Sequence, residues 1–334
     1  MPDNKPPGVT LSIDIANQFL TLATQSGDII ARYPVSTGLN GPGQADGSGC
    51  TPVGKHYIRA RIGAGQPLNT VYRGRRPTGE IYSQSLAAAM QTLPEGDWQA
   101  HSFHVYFMLA GTVTDHLEFE IDPLRNGRSF CTRQVKAIQN GRAILTMICS
   151  FQQPEEGFEH QAPMPEVKGP DGIASQVELA RMFRDYFPEK VRDIYTADKP
   201  IEMRVIDPVN IFAPTKKDPV KYLWLRADGQ LPDDYDVHCM LLAYATDFNL
   251  LPTSLHPHAK SYGQKDMQLA SLDHSVWFHR PFRMDEWLLY AIDSPNAGGG
   301  RGFCRGQVFN QKGELVASVA QEGLIRQIQL DKKS

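Results

Sequence analysis

The chain has no block of lysine or arginine, and its 34 basic residues are outnumbered by 37 acidic ones, giving a net charge of −3. That balance argues against a nucleic-acid partner, which calls for positive charge clustered on one face. No apolar run reaches the length of a membrane span, so a soluble protein is expected. The start, MPDNKPPGVT, lacks a charged region followed by an apolar core, and no secretory signal is read there. The last residues, QIQLDKKS, are not an SKL-type peroxisomal address. Five cysteines, Cys50, Cys131, Cys149, Cys239 and Cys304, are scattered without a CxxC pair. An odd, unpatterned set implies reduced thiols in a cytoplasmic protein, with neither a disulfide frame nor a zinc site. No metal or other cofactor is expected.

What is present is a chain of 334 residues, long enough for two domains with real cores. Its organising stretch is CMLLAYATDFNLLP, residues 239–252. Met240, Tyr244, Asp247 and Leu251 share one helical face, and Leu241, Leu242, Ala245, Phe248 and Leu250 cover much of the rest. A helix apolar nearly all round is a buried helix. It carries one carboxylate in its middle, Asp247, and Pro252 closes it. A buried carboxylate must be paired, hydrogen-bonded or functional.

Residues 8–35 alternate in strand fashion, with a turn at 26–28. Residues 36–54 form a glycine-rich loop without the GKS or GKT ending of a phosphate cradle. Residues 79–94 read as a second buried helix. Strands follow at 101–109, 117–121, 128–138 and 142–151, the last two joined at Asn140-Gly141, a strong hairpin signal. Residues 152–176 carry prolines and no periodicity, as in a linker. A short helix at 177–187, strands near 201–206 and 221–227, the organising helix, strands at 268–280 and 286–293, and a hairpin over 301–326 complete the chain.

The two halves match. His101-Ser102 pairs with His274-Ser275, and Arg128 to Cys131 with Arg301 to Cys304, both at an offset of 173 residues. The helix-ending prolines, Pro94 and Pro252, differ by 158, so the second half carries an insertion of 15 residues after its helix. A constant offset across separate strands marks a repeat of one helix plus an antiparallel sheet.

Two resemblances emerge. Residues 8–82, including VSTGLNGPGQADGSGCTPVGKHYIRARIGAGQPLNTVYRGRRPTGEIY, resemble the front half of a bacterial L,D-transpeptidase domain. That family depends on a His-Gly pair and a Ser-x-Gly-Cys nucleophile motif, neither of which occurs here. Residues 71–326 resemble the acyl-CoA thioesterase II family, a tandem double hotdog. The runs HSFHVYF, LRNGRSFCTRQVKAIQNG, SFQQPEEGFEHQ, LLAYATDFNLLP, SLDHSVWFHRPF, EWLLY and VASVAQEG carry it. At the front, where the family opens its first helix with Gly-Gly-Gln after a strand like Val71 to Gly74, this chain has Thr78-Gly79-Glu80.

The resemblance implies an α+β double hotdog with an N-terminal β-rich extension. The implied divisions are 1–70, a first hotdog at 71–151, a linker at 152–176 and a second hotdog at 177–328. It implies hydrolysis of fatty acyl-CoA by a water activated by Asp247, Ser271 and Gln321, with no covalent intermediate and with backbone N–H groups at a helix start serving the oxyanion. Ser271 as a covalent nucleophile is the less favoured route. His274 lies three residues after Ser271 and, in a strand, faces the opposite side. The repeat offsets place Ala89, Trp98 and Cys149 opposite Asp247, Ser271 and Gln321, so a single site in the second half is expected. Partners are an acyl-CoA substrate and, by resemblance, further copies of the chain in a homo-oligomer. The competing readings are a non-catalytic acyl-CoA or lipid-binding double hotdog, a transpeptidase acting through Cys50, and a hotdog dehydratase.

Overall fold

The computed structural model describes residues 9–14, 19–24, 29–34, 79–111, 116–187 and 189–329. The chain divides into two compact units, Met1–Ile58 and Arg59–Ser334. In the first, β1 (Val9–Asp14), β2 (Phe19–Thr24) and β3 (Ile29–Pro34) form an antiparallel sheet in that order. The glycine-rich loop, Cys50 and the strand expected at 71–74 lie outside the described residues.

The second unit opens with α1 (Gly79–Met90), then β4 (Gln99–Phe107), β5 (Glu118–Asn126), β6 (Phe130–Gln139) and β7 (Arg142–Gln152). Asn140 and Gly141 both adopt positive φ, 50° and 70°, the conformation a two-residue hairpin turn demands. Helices α2 (Gln176–Met182) and α3 (Glu189–Thr196) lead to β8 (Ile201–Ile206) and β9 (Val220–Ala227). The short helix expected at 177–187 is therefore α2 followed by a 3₁₀ turn, Arg184–Tyr186. Helix α4 (Tyr235–Thr246) is followed by a 3₁₀ helix, Leu251–His258, which occupies the insertion seen in the repeat. Then come β10 (Met267–Ser271), β11 (Asp273–Phe278), β12 (Leu288–Gly298), β13 (Arg301–Asn310) and β14 (Leu315–Gln327).

Strands β4 to β14 form one 11-stranded sheet. The halves join at its centre, where β4 pairs antiparallel with β11, Tyr106 opposite Asp273 and Ser102 opposite Trp277. Helices α1 and α4 pack against each other and against the sheet, and both halves contribute to one core. A long helix wrapped by antiparallel strands, twice over, is the double hotdog.

Outside the sheet, residues 153–175 lie along the second half. Gln161 donates to the Gly313 carbonyl and accepts from the Leu315 N–H, and Trp224 donates to the Lys168 carbonyl. Met164, Val167 and Ile173 from this segment pack with Trp224, Leu289, Phe309 and Leu315 in a second, smaller cluster.

Three expectations need correction. The organising helix begins at Tyr235, because Asp234 caps it by accepting from the Asp236 N–H, and ends at Thr246. Asp247 is thus its C-terminal cap and not a mid-helix residue, and Pro252 sits at the start of the 3₁₀ helix. The strand expected at 268–280 is two strands. Finally, Cys304 lies opposite Gln321, while its repeat partner Cys131 lies opposite Phe151. Phe151, and not Cys149, is therefore the register counterpart of Gln321.

Candidate active site

Asp247 is partly buried at the end of α4, where the last helical carbonyls have no partner within the helix. Two tyrosines supply donors there. Tyr82, from the first turn of α1, donates to the Ala243 carbonyl at 2.6 Å, and Tyr290, from β12, donates to the Thr246 carbonyl at 2.9 Å. Both side chains are fully buried, and burial, then the nearby Asp247 charge, pushes the Tyr82 hydroxyl well above its ordinary pKa. For Tyr290, burial is again the first cause. Tyr290 reaches its carbonyl by passing over Gly306, where any Cβ would collide with its ring.

The three residues drawn from the sequence meet at the Asp247 carboxylate. Gln321 Nε2 donates to Oδ1 at 2.7 Å. Ser271 Oγ stands 3.5 Å from the same oxygen, at the outer limit of a hydrogen bond. Gln321 is fully buried on β14, and its Oε1 has no partner among the described residues. An amide oxygen left unpaired in a buried place is expensive unless something polar occupies the space before it.

His274 shares this environment, contrary to the strand-alternation expectation. Ser271 lies opposite Gly323 while Ser275 lies opposite Ala320, so four residues on β10–β11 span three on β14. This bulge at Leu272 restores Ser271 and His274 to one face. His274 is fully buried, with Nε2 3.1 Å from Thr246 Oγ1. The Thr246 hydroxyl spends its proton on the Ala243 carbonyl, so it accepts from His274 Nε2–H, which leaves Nδ1 as an unpartnered acceptor among the described residues. Burial pulls the His274 pKa down to about 4, against the opposing effect of Asp247. The ring is neutral near pH 7.

The tyrosines, Thr246 and the facing of His274 escaped the sequence reading. Periodicity reports burial, not where a buried hydroxyl finds its acceptor, and a one-residue bulge leaves no mark in a run such as LASLDHS. The described cysteines are buried, and burial pushes the Cys149 thiol up to about 12. Among the described residues no group of three or more His, Cys, Asp or Glu side chains could hold a metal ion, and no helix is long and apolar enough to cross a membrane.

A double hotdog with a carboxylate, an amide and a hydroxyl gathered at one helix end belongs to the thioesterase class. A family profile for acyl-CoA thioesterase matches residues 191–324, and one for the acyl-CoA thioesterase N-terminal domain matches residues 79–152. Acyl-CoA thioesterase 2 of Haemophilus influenzae is 42% identical over 248 residues, covering 74% of this chain and 86% of that protein. The crystal structure of an acyl-CoA thioesterase II from Mycobacterium marinum aligns at 38% identity and a TM-score of 0.62, over 75% of this chain and 88% of the other. A hot dog fold protein of unknown function from Alicyclobacillus acidocaldarius aligns at 21% identity and a TM-score of 0.59, over 74% and 86%, a likeness of fold alone. The chain belongs to the acyl-CoA thioesterase II family and is a thioester hydrolase.

Proposed function

We propose that the enzyme hydrolyses fatty acyl-CoA to free fatty acid and CoA, with Asp247 as general base on a water held by Ser271 and Gln321. The observation that carries this reading is the 2.7 Å bond from Gln321 Nε2 to Asp247 Oδ1. Both donors converge on Oδ1, which fixes the carboxylate while Oδ2 meets no donor among the described residues. A water between Oδ2 and the unpaired Gln321 Oε1 would satisfy both, and the Ser271 hydroxyl, at the 3.5 Å limit from Oδ1, would turn to that water when it binds. Asp247 takes a proton as the water oxygen bonds to the acyl carbon. The tetrahedral intermediate then expels the CoA sulfur, which receives that proton. No covalent acyl-enzyme forms.

A tetrahedral oxyanion needs donors. Helix α4 presents only carbonyls at this end, so the helix start that serves the oxyanion is that of α1. Its first turn is tied to the last turn of α4 through Tyr82 and Ala243, and first-turn N–H groups, which find no carbonyl within their own helix, are suited to an anion. On this reading the second hotdog (177–328) carries the base, and the first (71–151) contributes donors. Each methylene of the acyl chain buried beside the helices would add about 0.8 kcal/mol. We also infer a homo-oligomer formed through the sheets. Tyr106 and Ile148 support it, lying exposed (63% and 46%) on one face of the adjacent strands β4 and β7. Sedimentation velocity tests this point, and a monomer at micromolar concentration would reject it.

Release of free CoA from a series of acyl-CoAs, measured for the wild type and Asp247→Asn, tests the mechanism. The variant should lose activity about 100-fold or more while still binding substrate. A variant as active as the wild type rejects Asp247 as the base. A folded wild type that binds but does not turn over would favour the acyl-CoA-binding reading.

A further inference from the structure

Beyond the reacting end of the site, β9 carries a lysine on the face that should be apolar. Along this strand Leu223 and Leu225 are fully buried in the core, and Lys221 alternates with them, pointing the same way. An inward ammonium is ordinarily paired with a carboxylate. Among the described residues Lys221 has none, and its Nζ lies 3.4 Å from the Asn249 carbonyl. Burial pulls its pKa down to about 8.

Lys221 faces a small cleft that opens to solvent. Two further basic residues, His256 and Lys260, line it, and the lining holds no carboxylate. Lys260 is balanced outside the lining by Asp266 at 2.8 Å. His256 is 6% exposed, with Nδ1 3.3 Å from the Asp218 carbonyl. The uncompensated charge is therefore that of Lys221, and the occupant it calls for is an anion. Apolar walls, among them Ile211 and Pro252, and the ring of Tyr262, 43% exposed, offer a surface for a planar group beside that anion.

The cleft's position fits one end of a long substrate. Asn249, which lines it, lies two residues beyond Asp247. Strand β9 is three strands from β14, which bears Gln321, or about 14 Å at the usual spacing. A thioester on a CoA carrier places its phosphates an arm's length from the reacting carbonyl, so their receptor must stand apart from Asp247.

We propose that this cleft, with Lys221 as its cation, binds a phosphate group at the nucleotide end of the CoA carrier while the thioester lies at Asp247. The proposal rests on the thioesterase reading above.

Calorimetric titration of the full chain with adenosine 3′,5′-bisphosphate, and separately with inorganic phosphate, reads the cleft without turnover. Steady-state kinetics on one acyl group, carried by CoA and by N-acetylcysteamine, reads it during turnover. Lys221→Gln should weaken bisphosphate binding about ten-fold or more, the worth of one hydrogen bond to a charged group. It should raise KM for acyl-CoA by a similar factor without lowering kcat, and shrink the preference for the CoA carrier over N-acetylcysteamine. Lys221→Arg should restore most of each.

Unchanged bisphosphate affinity in Lys221→Gln overturns the proposal. So does an equal loss on both carriers, which would mark Lys221 as a support of the fold, and so does inorganic phosphate binding as tightly as the bisphosphate. A wild type that binds the bisphosphate through Lys221 yet hydrolyses neither thioester would instead count against the thioesterase reading and leave the cleft standing.

Discussion

Asp247, the proposed base, shows how much of a site's energetics lies in the residues around a carboxylate. Its carboxylate stands at the carbonyl end of a helix, where the dipole disfavours negative charge. The surrounding donors offset this: Gln321 on Oδ1, and the two tyrosine hydroxyls that satisfy the carbonyls behind it. Tyr290→Phe should therefore cost about 1–3 kcal/mol, since it leaves the Thr246 carbonyl buried without that donor. It should lower kcat with little change in KM. Thermal unfolding alongside CoA-release kinetics checks both, and an unaltered melting temperature would show that the hydroxyl contributes nothing.

His274 gives a pH prediction at the same scale. Its folded pKa, about 4, is below the unfolded value near 6.5, so between these values the unfolded chain binds the extra proton. Stability attributable to His274 is thus lost as pH falls from about 6.5 toward 4. His274→Gln, which keeps a donor for Thr246, should flatten the dependence of chemical denaturation midpoints over that interval. An identical slope in the variant would move the acid sensitivity elsewhere. The motifs singled out Asp247, Ser271 and Gln321, which the structure brings together, but nothing in the residue pattern shows a hydroxyl choosing a carbonyl across 161 residues, as Tyr82 does with Ala243.

At the scale of elements, the critical contact is the docking of the 3₁₀ helix Leu251–His258 onto β13 and β14. Gly302 and Gly323 lie opposite each other on those strands. A Cβ on Gly302 would collide with Ser254, and one on Gly323 with Leu251. The absence of side chains lets the helix rest almost on the strand backbones. Gly323 is also the partner of Ser271, so the same residue sets the floor under the site. Gly323→Ala should destabilise by about 1–3 kcal/mol through overpacking and lower the melting temperature by a few degrees. Because it displaces Leu251 or β10, kcat should fall as well. A fully stable, fully active variant would show that the helix can shift without consequence. Strands and the Asn-Gly hairpin were readable because alternation and turn chemistry are local. The split of the organising stretch into α4 and a 3₁₀ helix was not, because both segments are apolar and only contacts with the distant glycines separate them.

For the whole molecule, the repeat explains why two similar halves need not carry two sites. The offset of 173 residues sets Arg133 against Gly306. In the second half that slot is bare and admits the Tyr290 ring, whose hydroxyl holds the end of α4. In the first half the Arg133 side chain fills it. Its guanidinium is almost fully buried and donates to the Thr92 carbonyl and hydroxyl beyond α1, to the Arg125 and Thr132 carbonyls, and to Asn126 Oδ1. Phe151 stands where the second half has Gln321. The first half has thus exchanged a polar site for a permanent cation stitched to carbonyls and for an aromatic ring. The sequence showed the repeat, since that is a matter of spacing, but its offsets set Cys149 in place of Phe151 against Gln321. It did not show what filled the space, because an arginine in a strand reads as a solvent-facing residue until its register is known. Arg133→Met retains length and apolar volume but strands several buried carbonyls, so the fold should lose at least about 1–3 kcal/mol. If the first half serves catalysis only through the start of α1 and the Tyr82 brace, the fraction that remains folded at low temperature should keep its kcat and KM. A loss of turnover per folded molecule, with the second-half residues intact, would mean that the first half does more than supply the start of α1 and the Tyr82 brace.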